Sequence, residues 1–205
     1  MAELMQLAAK IAPERTAVIV IDVQQEFFAD GGVIDLMGDD PAPMRAMIPR
    51  LAAFLDKARG LARLVVFTKQ TYVTEFRSPV VEEHQARSGM KRPPRPEAEE
   101  FYGIQPAATD VVMPKNRYSA FVGTPLDMML RANGITTLVL TGVATNVCVE
   151  STARQAYTLD YYVVVPRDLT GGANETAKEM SLLNIDRYFG EVVDSDDVLR
   201  AWGIG

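Results

Sequence analysis

The chain has 205 residues, 48% of them hydrophobic, and a formal net charge of −6. That length and composition suit one compact domain, 1–205, with a sizeable core, and the acidic balance argues against nucleic acid as a partner. The single cysteine cannot close an internal disulfide, so the fold needs no oxidising compartment and suits the cytoplasm, with the thiol left free to react.

The opening MAELMQLAAKIAPERT lacks the basic-then-apolar order of a secretory leader, and its Leu4, Leu7, Ala8 and Ile11 predict a short amphipathic helix. TAVIVIDV (16–23) reads as a strand buried on both faces, PMRAMIPRLAAFLDKARG (43–60) as a helix, and RLVVFTK (63–69) as a second strand. Residues 70–109 replace periodicity with prolines and mixed charges. They read as a long loop at the sheet edge where α/β proteins bind ligands, and so as a segment that selects substrate. Beyond it DVVMP (110–114), TTLVLTG (136–142), DYYVVVP (160–166) and EVVD (191–194) alternate with helical patterns that stop near Gly134 and Gly190. Strand alternating with helix predicts a three-layer α/β/α sandwich, Rossmann-like, around a mainly parallel sheet. No apolar run approaches the roughly 20 residues of a membrane span, so no membrane partner is expected. No GxGxxG or Walker loop supports a nucleotide cofactor.

Three residues at strand ends carry possible chemistry. Asp22, ending the first strand, is either a turn-former or an acid/base group. Lys115, just past Pro114 and the third strand, is either a solvated charge or a buried partner. Cys148, opening the helix after the fourth strand, is either a small buried hydrophobe or a nucleophile. At a helix start, free N–H groups and the macrodipole favour a thiolate, and a nearby ammonium would lower the thiol pKa further. In a parallel sheet the C-terminal ends of these strands share one rim, so the three groups can converge.

At VIVIDVQQEFF, MPKNRYSAFVGTPLDMMLRANGI and LVLTGVATNVCVESTARQAY the chain resembles the isochorismatase-like cysteine hydrolases, which include nicotinamidase, N-carbamoylsarcosine amidohydrolase and ureidoacrylate amidohydrolase. The stretch from Lys115 to Cys148 looks most like the ureidoacrylate branch. The resemblance implies a six-stranded parallel sheet, a catalytic triad of Asp22, Lys115 and Cys148, and a cis peptide joining Val143 to Ala144. It also implies an oxyanion hole made by the backbone N–H groups of Ala144 and Cys148. The expected activity is cysteine-dependent hydrolysis of a small amide, ureido or N-carbamoyl compound, through a thioester and with release of ammonia. A vinyl ether hydrolase and a non-catalytic scaffold of the same fold are the alternatives.

Phe27 matches a position where the family often has an aromatic beside the substrate, and Gln70 begins the loop after the second strand; each could equally be packing, whereas Tyr118 and Asn146, further substrate-binding candidates, are better placed but have no defined role. Arg77 and Arg117 suit a substrate carboxylate or plain surface exposure, and Arg154 reads as structural. Nicotinamidases hold a metal through an aspartate and histidines after the second strand. Here that segment, FTKQTYVTEFRSP, has no histidine, and the chain's one histidine, His84, reads as solvated, so no metal and no other cofactor are expected. Family members are commonly homodimers or homotetramers, and the N-terminal helix with Met1, Leu4, Met5, Leu7 and Ala8 would suit such an interface.

Overall fold

In the computed structural model, which describes residues 5–90, 92 and 96–204, seven strands form one all-parallel sheet. They are β1 (Thr16–Ile21), β2 (Leu64–Gln70), β3 (Val111–Lys115), β4 (Thr137–Val143), β5 (Tyr162–Pro166), β6 (Thr170–Gly171) and β7 (Glu191–Val193). Their order is β3-β2-β1-β4-β5-β7, with the two-residue β6 paired to the end of β4. All six strands expected from the sequence are present; β6 is too short to leave a pattern of its own. Every residue of β1 and β4 is buried, which is why both are mainly apolar and show no alternation of apolar and exposed polar residues.

The helices are α1 (Leu7–Lys10), α2 (Gln25–Phe28), α3 (Val33–Leu36), α4 (Ala42–Ala46), α5 (Ile48–Ala58), α6 (Pro79–Ser88), α7 (Leu126–Ala132), α8 (Glu150–Thr158), α9 (Glu175–Tyr188) and α10 (Ser195–Ala201). The strand pleat divides the core in two. On one face Val18, Val20, Val65 and Val139 pack with Leu51, Phe54 and Leu55 of α5 and Val198 of α10. On the other, Ala17, Ile19, Val66 and Leu140 pack with Leu130 of α7, Ala153 of α8 and Leu182 of α9. Helix, sheet and helix thus form three layers.

Four local readings differ from the sequence-based expectation. The N-terminal helix spans only Leu7–Lys10, and Met1 and Leu4 lie outside the described residues. The segment 43–60 divides at Met47, because Pro49 has no N–H to give the carbonyl of Arg45 and cannot continue the earlier turn. The supposed long loop contains α6, whose N-cap Ser78 accepts from the Val81 N–H and whose C-cap Gly89 is left-handed (φ 68°). None of its residues is buried, so it has no apolar stripe to betray it. Finally, α2, α3 and α10 are too short for a clear helical period. Among the described residues no helix is long and apolar enough to cross a membrane.

The chain builds outward through β1, β2 and β3, then returns to place β4 against the free edge of β1. The crevice at the carboxyl ends of β1 and β4 is therefore the topological switch point, where open α/β sheets bind ligands. Gly142 shapes it. Its φ is 97°, and a Cβ there would lie 2.1 Å from the carbonyl oxygen of Ile21, its ladder partner. Gly142→Ala is expected to destabilise the fold by about 3 to 5 kcal/mol, combining backbone strain with a main-chain clash. A urea midpoint equal to that of the wild type would refute this account of the approach.

Candidate active site

Asp22 leaves β1 with φ 52°, a left-handed conformation that aspartate tolerates better than most residues. Thr68 of β2 fixes it twice: the Asp22 N–H donates to Thr68 Oγ1 (3.2 Å), and the Thr68 hydroxyl donates to Asp22 Oδ1 (2.6 Å). The other carboxylate oxygen, Oδ2, lies 2.7 Å from Lys115 Nζ. Lys115 ends β3, one strand beyond β2, and its long stem reaches back across the rim. Its ammonium also donates to Gln70 Oε1 and to the Arg117 carbonyl, each at 2.9 Å, and lies 3.6 Å from Cys148 Sγ. A buried ammonium is costly unless it is paired and hydrogen-bonded, and this one is both, at 1% exposure.

Cys148 lies in a π-helical turn, Thr145–Val149, that runs into α8. The peptide bond between Val143 and Ala144 is cis, and the Ala144 carbonyl accepts from the N–H groups of Val147 and Val149 at 3.0 and 3.2 Å. The Thr152 hydroxyl ties down the Cys148 carbonyl at 2.7 Å.

The electrostatics correct one expectation. The thiol pKa is pushed well above its ordinary value, first by burial and then by the Asp22 carboxylate; Lys115 offsets them only in part. Burial and the neighbouring anion thus favour the neutral thiol over the thiolate, against the pull of the helix start. Burial alone would lower the Lys115 pKa, yet the Asp22 carboxylate beside it reverses the effect and raises it, which favours the ammonium.

The structure thus brings Asp22, Lys115, Cys148 and Gln70 together, with Gln70 holding the ammonium. Phe27 is half-buried and packs against the core. Tyr118 is 45% exposed and Asn146 is exposed. Arg117 spends its guanidinium on the carbonyls of Asn116 and Phe76. Arg154 pairs with Glu150 and lies over the Phe189 ring. A surface hollow of about 760 Å³ lies at the starts of β5 and β7, on the opposite rim from Cys148.

Five residues of this region escaped the sequence reading: Gln24, Glu26, Thr68, Tyr72 and Arg92. Gln24, wholly buried, stitches the segment together. Its Nε2 donates to the carbonyls of Gln70 and Glu99, and its Oε1 accepts from the Gln70 N–H. Glu26 is 1% exposed, and its Oε1 accepts from Arg92 Nη1 at 3.2 Å. The polar run QQE directly after a buried strand was the available signal.

Burial pushes the Glu26 carboxyl up to about 7; Asp22 and Glu99 add to the shift and Arg92 opposes it. The folded value lies above the ordinary 4.5, so the group's contribution to stability is fully present below about pH 4.5 and is lost as the pH rises through 7. The loss is about 3 kcal/mol at most. Glu26→Gln, with no proton to lose, is expected to melt higher than the wild type at pH 8 and to lose that advantage at pH 5. Parallel pH profiles of the two melting temperatures would contradict this.

Among the described residues no group of three or more His, Cys, Asp or Glu could hold a metal ion. The donors after β2 do not fit one either: His84 is exposed on α6, with Nδ1 beside Arg87.

A model of the isochorismatase domain matches residues 16–197. Among solved structures, a cysteine hydrolase from Pseudomonas syringae pv. phaseolicola is 26% identical, with 95% of each chain covered and a TM-score of 0.79. An isochorismatase family protein from Burkholderia thailandensis is 31% identical, covering 93% of this chain and 96% of that one, with a TM-score of 0.70. A nicotinamidase from Bacillus subtilis is 27% identical, covering 88% and 99%, with a TM-score of 0.71.

Proposed function

The chain belongs to the isochorismatase family, and from that premise we propose that it is a cysteine-dependent amidohydrolase. Its substrate is a small amide, ureido or N-carbamoyl compound, and ammonia is released. The observation that carries this reading is the buried Lys115 ammonium placed between the Asp22 carboxylate (2.7 Å) and the Cys148 sulfur (3.6 Å). The likeness to a cysteine hydrolase and a nicotinamidase supports it.

In this reading Asp22 takes the thiol proton as Cys148 attacks the carbonyl carbon. The negative charge then moves from the carboxylate to the sulfur, and Lys115, in contact with both, faces an anion before and after the transfer. That arrangement allows a thiol with a high resting pKa to act without first ionising to solvent. The oxyanion of the tetrahedral intermediate is received by the N–H groups of Ala144 and Cys148. Asp22 returns the proton to the departing nitrogen, ammonia leaves a thioester, and water activated by Asp22 releases the acid and frees Cys148. Gln70 and Thr68 are positioning residues, holding the ammonium and the carboxylate respectively. The test is ammonia release by the wild type and Cys148→Ala across ureidoacrylate, N-carbamoyl amino acids, biuret-like ureas, nicotinamide and aliphatic amides. Cysteine-dependent release from one class supports the reading, and isochorismate turnover surviving in Cys148→Ala would replace it with ether hydrolysis.

A further inference from the structure

Beside the Asp22–Lys115–Cys148 constellation lies a polar cluster that the proposed reaction leaves unused. Glu26 comes from α2, four residues past Asp22, and Tyr72 follows Gln70, whose Oε1 holds Lys115. Arg92 covers both: its guanidinium lies 3.6 Å from the centre of the Tyr72 ring, and its Nη1 donates to Glu26 Oε1. The cluster lies within electrostatic reach of the reacting groups, since the Asp22 carboxylate acts on Glu26. Three of its buried polar atoms have no partner: Glu26 Oε2, Arg92 Nε and the Tyr72 hydroxyl.

Buried polar groups are nearly always satisfied, so three orphans in one cluster describe the complement of a ligand. Glu26 Oε2 is an acceptor once the carboxyl has lost its proton, above about pH 7, Arg92 Nε is a donor, and the Tyr72 hydroxyl is either. We infer that Glu26, Arg92 and Tyr72 form a recognition subsite for a neutral ureido or imide edge of the substrate. Its N–H donates to Glu26 Oε2, and its carbonyl accepts from Arg92 Nε and the Tyr72 hydroxyl. A carboxylate suits the cluster poorly, because the Arg92 charge is already met by Glu26 and Glu99 is close by. A hydrocarbon tail suits it poorly too, since it would leave all three atoms unpaired. The inference rests on the amidohydrolase reading and narrows it to neutral compounds with a second amide linkage next to the scissile one.

The probes are biuret and its hydrocarbon isostere 3-methylbutanamide, titrated calorimetrically into Cys148→Ala protein so that binding is read without turnover. Biuret is expected to bind about 10- to 100-fold more tightly, the range of one or two hydrogen bonds to charged groups. Arg92→Lys, or Glu26→Gln, which turns the free acceptor into a donor, should each reduce that ratio about 10-fold. Tyr72→Phe removes a single hydroxyl and keeps the test available if a charge variant fails to fold; its ratio should fall severalfold. Equal binding of the two probes, binding of neither, a ratio unchanged in the variants, or Arg92-dependent binding of N-carbamoylglycine tighter than that of biuret would each overturn the inference. Ammonia release by the wild type separates the two readings. A biuret preference without release from any amide sinks hydrolysis and leaves the subsite, whereas release without a preference sinks the subsite alone.

Discussion

Cys148→Ala is expected to abolish ammonia release, a fall in kcat of roughly 10⁴- to 10⁶-fold, while changing stability by only about 1 kcal/mol. The two effects separate because the thiol contributes little to packing. It is a small group in the turn that leads into α8, 6% exposed, and behaves in the ground state as a weakly polar hydrophobe. In the proposed reaction it makes the bond that divides hydrolysis into two steps, and no neighbour offers a second nucleophile: Lys115 is held charged, and Asp22 is committed to Lys115 and Thr68. A melting curve near that of the wild type, together with lost turnover, is the expected pair of results. Substantial turnover in the variant would mean that the sulfur is not the nucleophile.

Lys115→Met is expected to remove activity and also to cost about 3 to 5 kcal/mol, because it leaves the Asp22 carboxylate buried without its counter-ion. For a chain of this size that is roughly a 10 °C fall in Tm. The methionine fills much of the vacated stem, so the loss reports on charge more than on volume. Asp22→Asn combined with Lys115→Met removes both charges and should recover most of the lost stability with none of the activity. The coupling between the two sites, read from the four proteins of the cycle, then measures the ion pair directly. If the double variant is as unstable as the sum of the single ones, the pair is not what holds Lys115 in place.

The layered fold was legible because strands buried on both faces write themselves as runs such as TAVIVI and TLVLTG, and glycines mark the ends of the helices between them. The elements that escaped have little or no contrast. Helix α6 buries no residue, and β6 is two residues long. The juxtaposition of Asp22, Lys115 and Cys148 followed from topology, since parallel strands place their C-terminal ends on one rim. Glu26, Tyr72 and Arg92 did not follow from it. They meet only because the segment between β2 and β3 folds back over α2, as the isolated antiparallel bridge from Gln24 to Phe101 records, and nothing in the local pattern of Arg92 announces a buried partner. The thiol pKa was misjudged for a related reason: a helix start can be read from spacing, whereas desolvation and a neighbouring carboxylate belong to the assembled site.

The pairing of β1 with β4 has a consequence for how the molecule is made. Strand β1 is made before both of its neighbours, and one of its edges is completed by β2 soon after. Its other edge waits for residues 137–143, more than half the chain later. Until then a largely apolar strand has an unpaired side, the condition that favours association with other unfinished chains. Cys148 follows directly after the segment that closes this edge, so the interval of greatest exposure to misassembly ends just before the proposed nucleophile is in place.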